Sequence, residues 1–496
     1  MKVTITSPTY AIVEFANDKE KADLNKSLTY TNKSISFQIS KLKQNRWFKR
    51  QNPEGYAFRM AELQAQLKTS ILEWNAGHWT IKPGIIPYIK DKFNPQIVDE
   101  REFPETKKYS WKKKPEFEPY PYQAKAVEQL LKVKHGNISL PTGCGKSFIL
   151  LMLARELGLR TVVVTPSKSI FNELLKEFQD KLGKNVVGGY GDGKKDIKKP
   201  ITIAIGRSLT MLKMGTEAWD FFYDKQVMLV DESHTFAASE LEKTCHGVLS
   251  QVPYRMFVSA TQTRGDGTEK MLYSIIGENV LDMEIYEAIN KGYLCPLKFT
   301  VINTFSPSTL KKKDPLECKR EHFLYNKEIA KLIARIANGS VAGSNESTLV
   351  LVEELRQIQE LLPLLKVPYA YVHSGSKKEA AKFGLETVKL QQQVDRFNNG
   401  EVKVLIGTRA ISTGTNMYPT HNTCNWVGGN SEIITKQGTM GRSTRKLEIS
   451  KYADLHPPKL QTNIYDFDVK GQPILKRQLD KRIEYYMETG ESIRYF

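Results

Sequence analysis

From Phe117 onward, short apolar runs alternate with longer stretches of helical spacing. Thr161–Thr165 (TVVVT), Ile201–Ile205 (ITIAI), Val227–Val230 (VMLV) and Met256–Ser259 (MFVS) are brief and rich in β-branched side chains. A strand that is apolar at nearly every position has both faces buried, the pattern of a parallel sheet covered by helices on two sides. After a connecting region around Gly277–Pro296 the series resumes with Lys298–Asn303, Ser347–Val352, Tyr369–Val372, Val402–Ile406 and Asn463–Phe467. The pattern predicts two α/β lobes in tandem.

Residues 1–115 read differently. Alternation at Lys2–Thr6 and Ser34–Ile39 predicts short strands, and Glu62–Trp74 has helical spacing, as in a small α+β domain. The segment closes on Lys107–Pro115 (KKYSWKKKP), which reads as a linker. The last stretch, Gly471–Phe496, has the spacing of an amphipathic helix. The expected organisation is 1–115 as an accessory domain with linker, 116–296 as a first lobe, 297–470 as a second, and 471–496 as a tail.

Composition sharpens this picture. Of 496 residues, 40% are hydrophobic and 26% charged, which excludes wholesale disorder. Lysine and arginine number 73 against 55 acids, a formal charge of +18. Residues 1–115 hold 21 basic and 12 acidic residues, so half of the excess sits in under a quarter of the chain. Such an excess favours a polyanionic partner, nucleic acid first among them. The five cysteines are scattered with no C-x-x-C pair, and Cys318 with His322 lacks further partners, which argues against a zinc site or disulfide framework. No apolar run reaches the ~20 residues of a membrane span, and the start has no signal-peptide core. The expectation is a soluble protein without membrane contact, in a reduced cytoplasm.

Two motifs carry chemistry. Leu140–Ser147 (LPTGCGKS) follows an apolar residue, Ile138, and opens a helical stretch. Gly143 and Gly145 let backbone N–H groups close on phosphate oxygens at a helix N-terminus. In that reading Thr142, Gly143, Cys144 and Gly145 cradle the phosphates, Lys146 neutralises the β- and γ-phosphates, and Ser147 ligates Mg2+. The second motif is Asp231-Glu232-Ser233-His234, which ends the apolar run Val227–Val230. A carboxylate at the end of a buried strand, downstream of a phosphate loop, holds the metal, so Asp231 is the second Mg2+ ligand. Its neighbour Glu232 is placed to orient and deprotonate an attacking water.

The order of motifs resembles a superfamily 2 helicase of the DExH type, over residues 117–470. Tyr122-Gln123 looks like the motif that reads adenine, and Leu140–Ser147 like motif I in its PTGxGKS form. Thr165-Pro166 is similar to motif Ia, Gly206-Arg207-Ser208 to motif Ib, Asp231–His234 to motif II and Ser259-Ala260-Thr261 to motif III. In the second half Leu349–Val352 and His373-Ser374-Gly375 resemble motif IV and the element after it. Gly407–Asn416 (GTRAISTGTN) resembles motif V, and Gly441–Arg445 (GRSTR) motif VI. The family places a glutamine three residues before that last glycine, where this chain has Gly438, with Gln437 one residue further back.

The resemblance implies an α/β fold of two tandem RecA-like parallel-sheet lobes behind a basic accessory domain. It implies ATP hydrolysis with Mg2+ at the interface of the lobes. Lys146, Glu232, Arg442 and Arg445 are the implied catalytic residues, with Gln437 as γ-phosphate sensor and Gln123 on the adenine. His234, Ser259 and Thr261 would couple nucleotide state to a nucleic-acid groove contacted by Thr165, Arg207, Thr408 and Gly414. Such contacts fall on the phosphate backbone and carry no sequence information.

Among these families the compact chain most resembles phage recombination helicases of the UvsW type, which migrate branches and regress forks. The expected partner is branched or forked DNA without sequence preference. Its accessory contact is expected in Lys41–Phe58, with Lys41, Lys43, Arg46, Lys49 and Arg50 on phosphates. Trp47 and Phe48 would stack on an unpaired base, or else belong to the small domain's core. The alternatives are a nucleic-acid-stimulated ATPase that remodels protein–nucleic acid complexes, and an RNA helicase. The oligomeric state is open, with a monomer favoured.

Overall fold

Strands that are apolar on both sides need cover on both sides, and the computed structural model supplies it twice. It describes residues 1–236, 238–260, 269–306, 314–408, 411, 415–432 and 434–496, apart from the side chains of Ala238, Ser239 and Gln437. The chain divides into two units, Met1–Leu140 with Gly145–Asp282, and Pro141–Cys144 with Met283–Phe496.

The first unit begins with a small mixed sheet. Strands β1 (Lys2–Ile5) and β2 (Ala11–Glu14) pair antiparallel, and β3 (Thr29–Thr31) and β4 (Lys68–Ser70) form a separate ribbon. Strands β5 (Glu73–Asn75), β6 (His78–Ile81) and β7 (Gln96–Asp99) complete the sheet in the order β5-β6-β2-β1-β7. Val3, Val13, Leu24, Leu28, Ile81 and Ile89 form its core.

Two expectations fail in this region. Ser34–Ile39 is no strand but part of a helix, Lys33–Gln44, started by the Asn32 side chain, which accepts from the N–H groups of Ser34 and Ile35. The alternation of SISFQIS is accidental: Ile39 is buried at helical spacing from Ile35, while Phe37 between them is 63% exposed. Glu62–Trp74 is helical only as far as Leu67, the end of helix Pro53–Leu67; the chain then extends because β4 pairs with β3. The helices Lys33–Gln44, Arg46–Gln51 and Pro53–Leu67, each started by an asparagine cap, form a helical arm. Its base is the ribbon in which Thr31 stands opposite Lys68.

The second sheet of this unit holds eight strands. They are β8 (His135–Ser139), β9 (Thr161–Thr165), β10 (Val187–Gly191), β11 (Lys194–Lys195), β12 (Ile201–Ile205), β13 (Val227–Val230), β14 (Tyr254–Ser259) and β15 (Glu278–Asp282). The order is β11-β10-β12-β9-β13-β14-β8-β15, parallel except at β11. Thus Gly277–Pro296 is more than a connection. Its first residues form the edge strand β15, which a polar sequence suits because it is covered on fewer sides.

The stretch after β7 has no regular element, yet it is tied down. Lys107 N–H donates to Leu157 O at 3.0 Å and Tyr109 N–H to Arg155 O at 2.9 Å, at the C-terminal end of helix Lys146–Leu157. Lys112 N–H donates to Lys181 O at 2.9 Å, at the end of helix Lys168–Leu182. The last carbonyls of a helix lack partners within it, and this strap supplies them. The approach is close: Gly158 has φ +60°, and a Cβ there would collide with Lys107 O. The small sheet meets the large one through helix Glu269–Ile276. Lys270 Nζ donates to Ser27 O at 2.7 Å, and Lys82 pairs with Glu242.

The second unit holds one seven-stranded parallel sheet. Its strands are β16 (Leu297–Phe305), β17 (Thr348–Val352), β18 (Tyr369–Val372), β19 (Val404–Gly407), β20 (Asn422–Trp426), β21 (Thr462–Lys470) and β22 (Ile493–Tyr495), in the order β18-β19-β17-β20-β21-β16-β22. The tail is a helix, Pro473–Met487, followed by β22, which extends the sheet beside β16. Arg482 anchors that helix with two bonds of 2.7 Å to the buried Asp466 carboxylate. Both large sheets have the RecA-like α/β arrangement.

Candidate functional site

In the loop Leu140–Ser147, Gly143 and Gly145 adopt φ +99° and +69°, backbone that side-chain-bearing residues disfavour. The helix Lys146–Leu157 then starts with no side-chain cap. Its first N–H groups and its positive dipole end make that turn a place for an anion. Gln123 is buried in helix Pro121–Val133 and its Oε1 accepts from Tyr120 N–H at 3.0 Å. Its amide lies over the loop: a Cβ on Gly145 would sit 2.5 Å from Gln123 Nε2.

The carboxylates come from the end of β13, where Asp231 N–H still bonds Val164 O of β9 at 2.9 Å. Glu232 leaves the strand with φ +46°, a left-handed turn unusual for a non-glycine residue. That turn brings its Oε1 to 3.5 Å from Lys146 Nζ. Lys146 is 6% exposed, and its Nζ also donates to Leu140 O at 3.2 Å. Burial above all, and then the Glu232 carboxylate, push the Asp231 carboxyl above its usual range, and the Lys146 ammonium opposes them. Two adjacent acids so placed suit a cation, and the hydroxyl of Ser147 with the carboxylate of Asp231 would offer the oxygen donors that Mg2+ prefers. His234 is buried, with Nδ1 2.8 Å from Ser259 Oγ at the end of β14 and 3.5 Å from Glu232 Oε2. Thr261 lies outside the described residues.

In the second unit, Arg442 is 5% exposed in the short helix Gly441–Ser443 and donates to Thr415 O. Arg445 follows two residues after that helix ends, half-buried, and its Nε meets no acceptor among the described residues. Gln437 stands in the helical segment Ile434–Met440, but its side chain lies outside the described residues.

The candidate nucleic-acid residues are scattered in exposure. Arg207 is exposed on helix Gly206–Thr210. Thr165 and Thr408 are buried; Thr165 Oγ1 donates inward to Ala204 O at 3.4 Å, and Thr408 N–H to Val372 O at 3.1 Å. Both residues are buried, so any contact there belongs to the loops they start. Gly414 lies outside the described residues. Lys41, Lys43, Arg46, Lys49 and Arg50 are all exposed on the helical arm. Trp47 is 71% exposed, which removes it from the core.

Sequence reading missed Leu140 O, which takes a bond from Lys146, and Lys459, which is buried against the turn bearing Arg442 and Arg445. No local motif marks either; a carbonyl has no residue-type signal, and Lys459 follows two prolines like any loop lysine. Among the described residues no group of acids, histidines and cysteines forms a further metal cluster, and no helix is long and apolar enough to cross a membrane.

Residues 116–264 match the family model described as the Type III restriction enzyme, res subunit. The chain is 25% identical over 307 residues to the DNA 3'-5' helicase XPB of Kineococcus radiotolerans, covering 59% of this chain and 51% of that one. It therefore spans about half the length of that relative. It is 23% identical over 378 residues to the ATP-dependent DNA helicase uvsW of Enterobacteria phage T4, covering 71% of this chain and 72% of that one. Among solved structures, a fragment described as an HsdR subunit of a type I restriction enzyme from Vibrio vulnificus superposes with a TM-score of 0.53 at 17% identity. That alignment covers 77% of this chain and 68% of the other, and it speaks to the fold alone.

Proposed function

We propose that this chain is a superfamily 2 helicase similar to UvsW, an ATP-driven DNA translocase that unwinds or branch-migrates branched DNA. One observation carries the reading. The Lys146 ammonium and the Glu232 carboxylate face each other at 3.5 Å beside an uncapped helix N-terminus, at the carboxyl end of a parallel sheet. That is where a triphosphate is bound and a water activated.

In this reading Gln123 contacts the adenine. Thr142, Gly143, Cys144 and Gly145 wrap the phosphates with backbone N–H groups, and Lys146 offsets their charge. Ser147 and Asp231 would hold Mg2+, which supplies charge neutralisation at the β- and γ-oxygens when bound. Glu232 orients the attacking water and takes its proton. Charge that develops on the transferred phosphoryl group is met by the guanidinium groups of Arg442 and Arg445, with Gln437 beside them. His234 and Ser259, with Thr261, pass the state of Glu232 to the end of β14. Loops begun by Thr165 and Thr408, together with Arg207 and Gly414, would track a DNA backbone.

Branched DNA as the substrate is supported by the helical arm. Its exposed Trp47 stands among Lys41, Lys43, Arg46, Lys49 and Arg50, cations for phosphates beside a ring for an unpaired base. The matched relatives named as DNA helicases support DNA over RNA. We place its action in the cytoplasm, where a cell's or phage's DNA is reached.

The test is a substrate panel in one buffer with ATP and Mg2+: duplex, fork, four-way junction, displacement loop and single-stranded RNA. Conversion of the junction into duplex products is expected. ATPase stimulation without any junction conversion points instead to a remodelling ATPase, and stimulation by RNA equal to that by branched DNA points to an RNA helicase.

A further inference from the structure

The helical segment that carries Arg442 ends at Ser443, so the carbonyls of its last turn have no partner further along the helix. Lys459 supplies one. It is 2% exposed, and its Nζ lies 2.7 Å from Arg445 O, 2.9 Å from Ser443 O and 3.3 Å from Tyr418 O. An ammonium has three donors, and each meets a carbonyl. Among the described residues no carboxylate lies within ion-pairing distance of it.

Burying a cation without a counter-ion is costly unless the site repays it. Here the negative end of a short helix and three carbonyls do so. Neighbouring groups reinforce the turn. Thr462 Oγ1 donates to Ser443 O at 2.8 Å, and Ser443 Oγ lies 2.8 Å from Thr423 Oγ1. Arg442 donates to Thr415 O. Thr415 and Tyr418 belong to one stretch of chain after β19, so two buried cations, Arg442 and Lys459, bind that stretch to the arginine-bearing turn.

We propose that Lys459 is a positioning residue for ATP hydrolysis: it fixes the backbone from which Arg442 and Arg445 project and locks that backbone to the Thr415–Tyr418 stretch. The inference rests on the reading above in which those arginines act on the nucleotide. Lys459 acts through that backbone, since its three donors are spent on carbonyls.

The test pairs Lys459→Met, which keeps most of the stem and removes the donors, with Arg445→Ala and the double variant, in the full chain. DNA-stimulated ATPase is measured together with the Kd of a fluorescent ATP analogue. Lys459→Met is expected to lower kcat tenfold or more while KM and Kd stay within twofold. The double variant is expected to lose less than the product of the two single losses, because Arg445 is one of the two arginines through which Lys459 acts. Multiplying effects, or a Lys459→Met that turns over at the wild-type rate, overturn the proposal. If Lys459→Met does not fold, Thr462→Val decides, since it removes the other donor onto Ser443 O. A threefold or greater loss of kcat at unchanged KM supports the proposal, and wild-type kcat overturns it. Arg445→Ala at the wild-type rate sinks the arginine reading itself; Arg445→Ala slow beside a normal Lys459→Met sinks only the role of Lys459.

Discussion

Ser259 Oγ lies 2.8 Å from His234 Nδ1, joining the end of β14 to the turn that follows β13. The same nitrogen is 3.5 Å from Glu232 Oε2, so one imidazole stands between the carboxylate and the next strand. Ser259→Ala removes that bond and leaves the phosphate loop, Lys146 and Glu232 in place. Basal ATPase is expected within threefold of wild type, with junction conversion reduced tenfold or more. Parallel loss of both activities contradicts a coupling role.

Glu232 owes its place to a left-handed turn, and Lys146 is buried beside it. Glu232→Gln keeps the shape and loses the base, so kcat should fall by about 10²-fold or more while ATP stays bound. Lys146→Ala should abolish hydrolysis and nucleotide binding together, yet leave DNA binding within a few-fold. Filter binding beside a steady-state assay separates the two variants.

The helical arm can be removed without breaking its base, because Thr31 and Lys68 already face each other in the β3–β4 ribbon. Replacing residues 33–66 by a short Gly-Asn turn should preserve ATPase stimulated by plain single strands. Activity on a four-way junction should drop at least fivefold, and its salt dependence should weaken as phosphate contacts are lost. Unchanged junction activity would remove the arm from the mechanism. Deleting all of 1–115 is a poorer experiment, since it also strips the strap from two helix ends.

His135 is buried at the start of β8, with Nε2 2.8 Å from Ile275 O. Burial, and next the Arg255 guanidinium, press its pKa from 6.5 down to about 3. The unfolded chain therefore takes up a proton below pH 6.5 that the folded chain refuses. The stability due to the neutral ring is whole above pH 6.5 and is lost as the pH falls towards 3. The slope is about 1.4 kcal/mol per pH unit for this one group. Urea unfolding should show the midpoint falling between pH 6.5 and 5, and less steeply in His135→Gln.

Much of the α/β frame was legible because its strands are apolar throughout: TVVVT and ITIAI fit nothing but a doubly covered sheet. Gly143, Gly145, Lys146 and Asp231 stand out as candidates because phosphate and metal chemistry needs those residue types in short order. The helical arm was misread where local alternation in SISFQIS mimicked a strand, and only the Asn32 cap and the register from Ile35 to Ile39 reveal the helix. Strand β15 was passed over because an edge strand can be polar. Lys459 was invisible for a different reason. Its partners are carbonyls gathered from separate parts of the chain, and nothing but the fold brings them to one ammonium.

The strap between the small sheet and the large one has a mechanical meaning. Its N–H groups grip the far end of the helix whose first residue is Lys146. The helix's first residue therefore sits in the phosphate loop while its last carbonyls are held by the strand-to-sheet connection, so the two ends of one helix are fixed by different parts of the same unit. A substitution that loosens the strap, such as Gly158→Ala, would thus be felt along the helix that opens at Lys146.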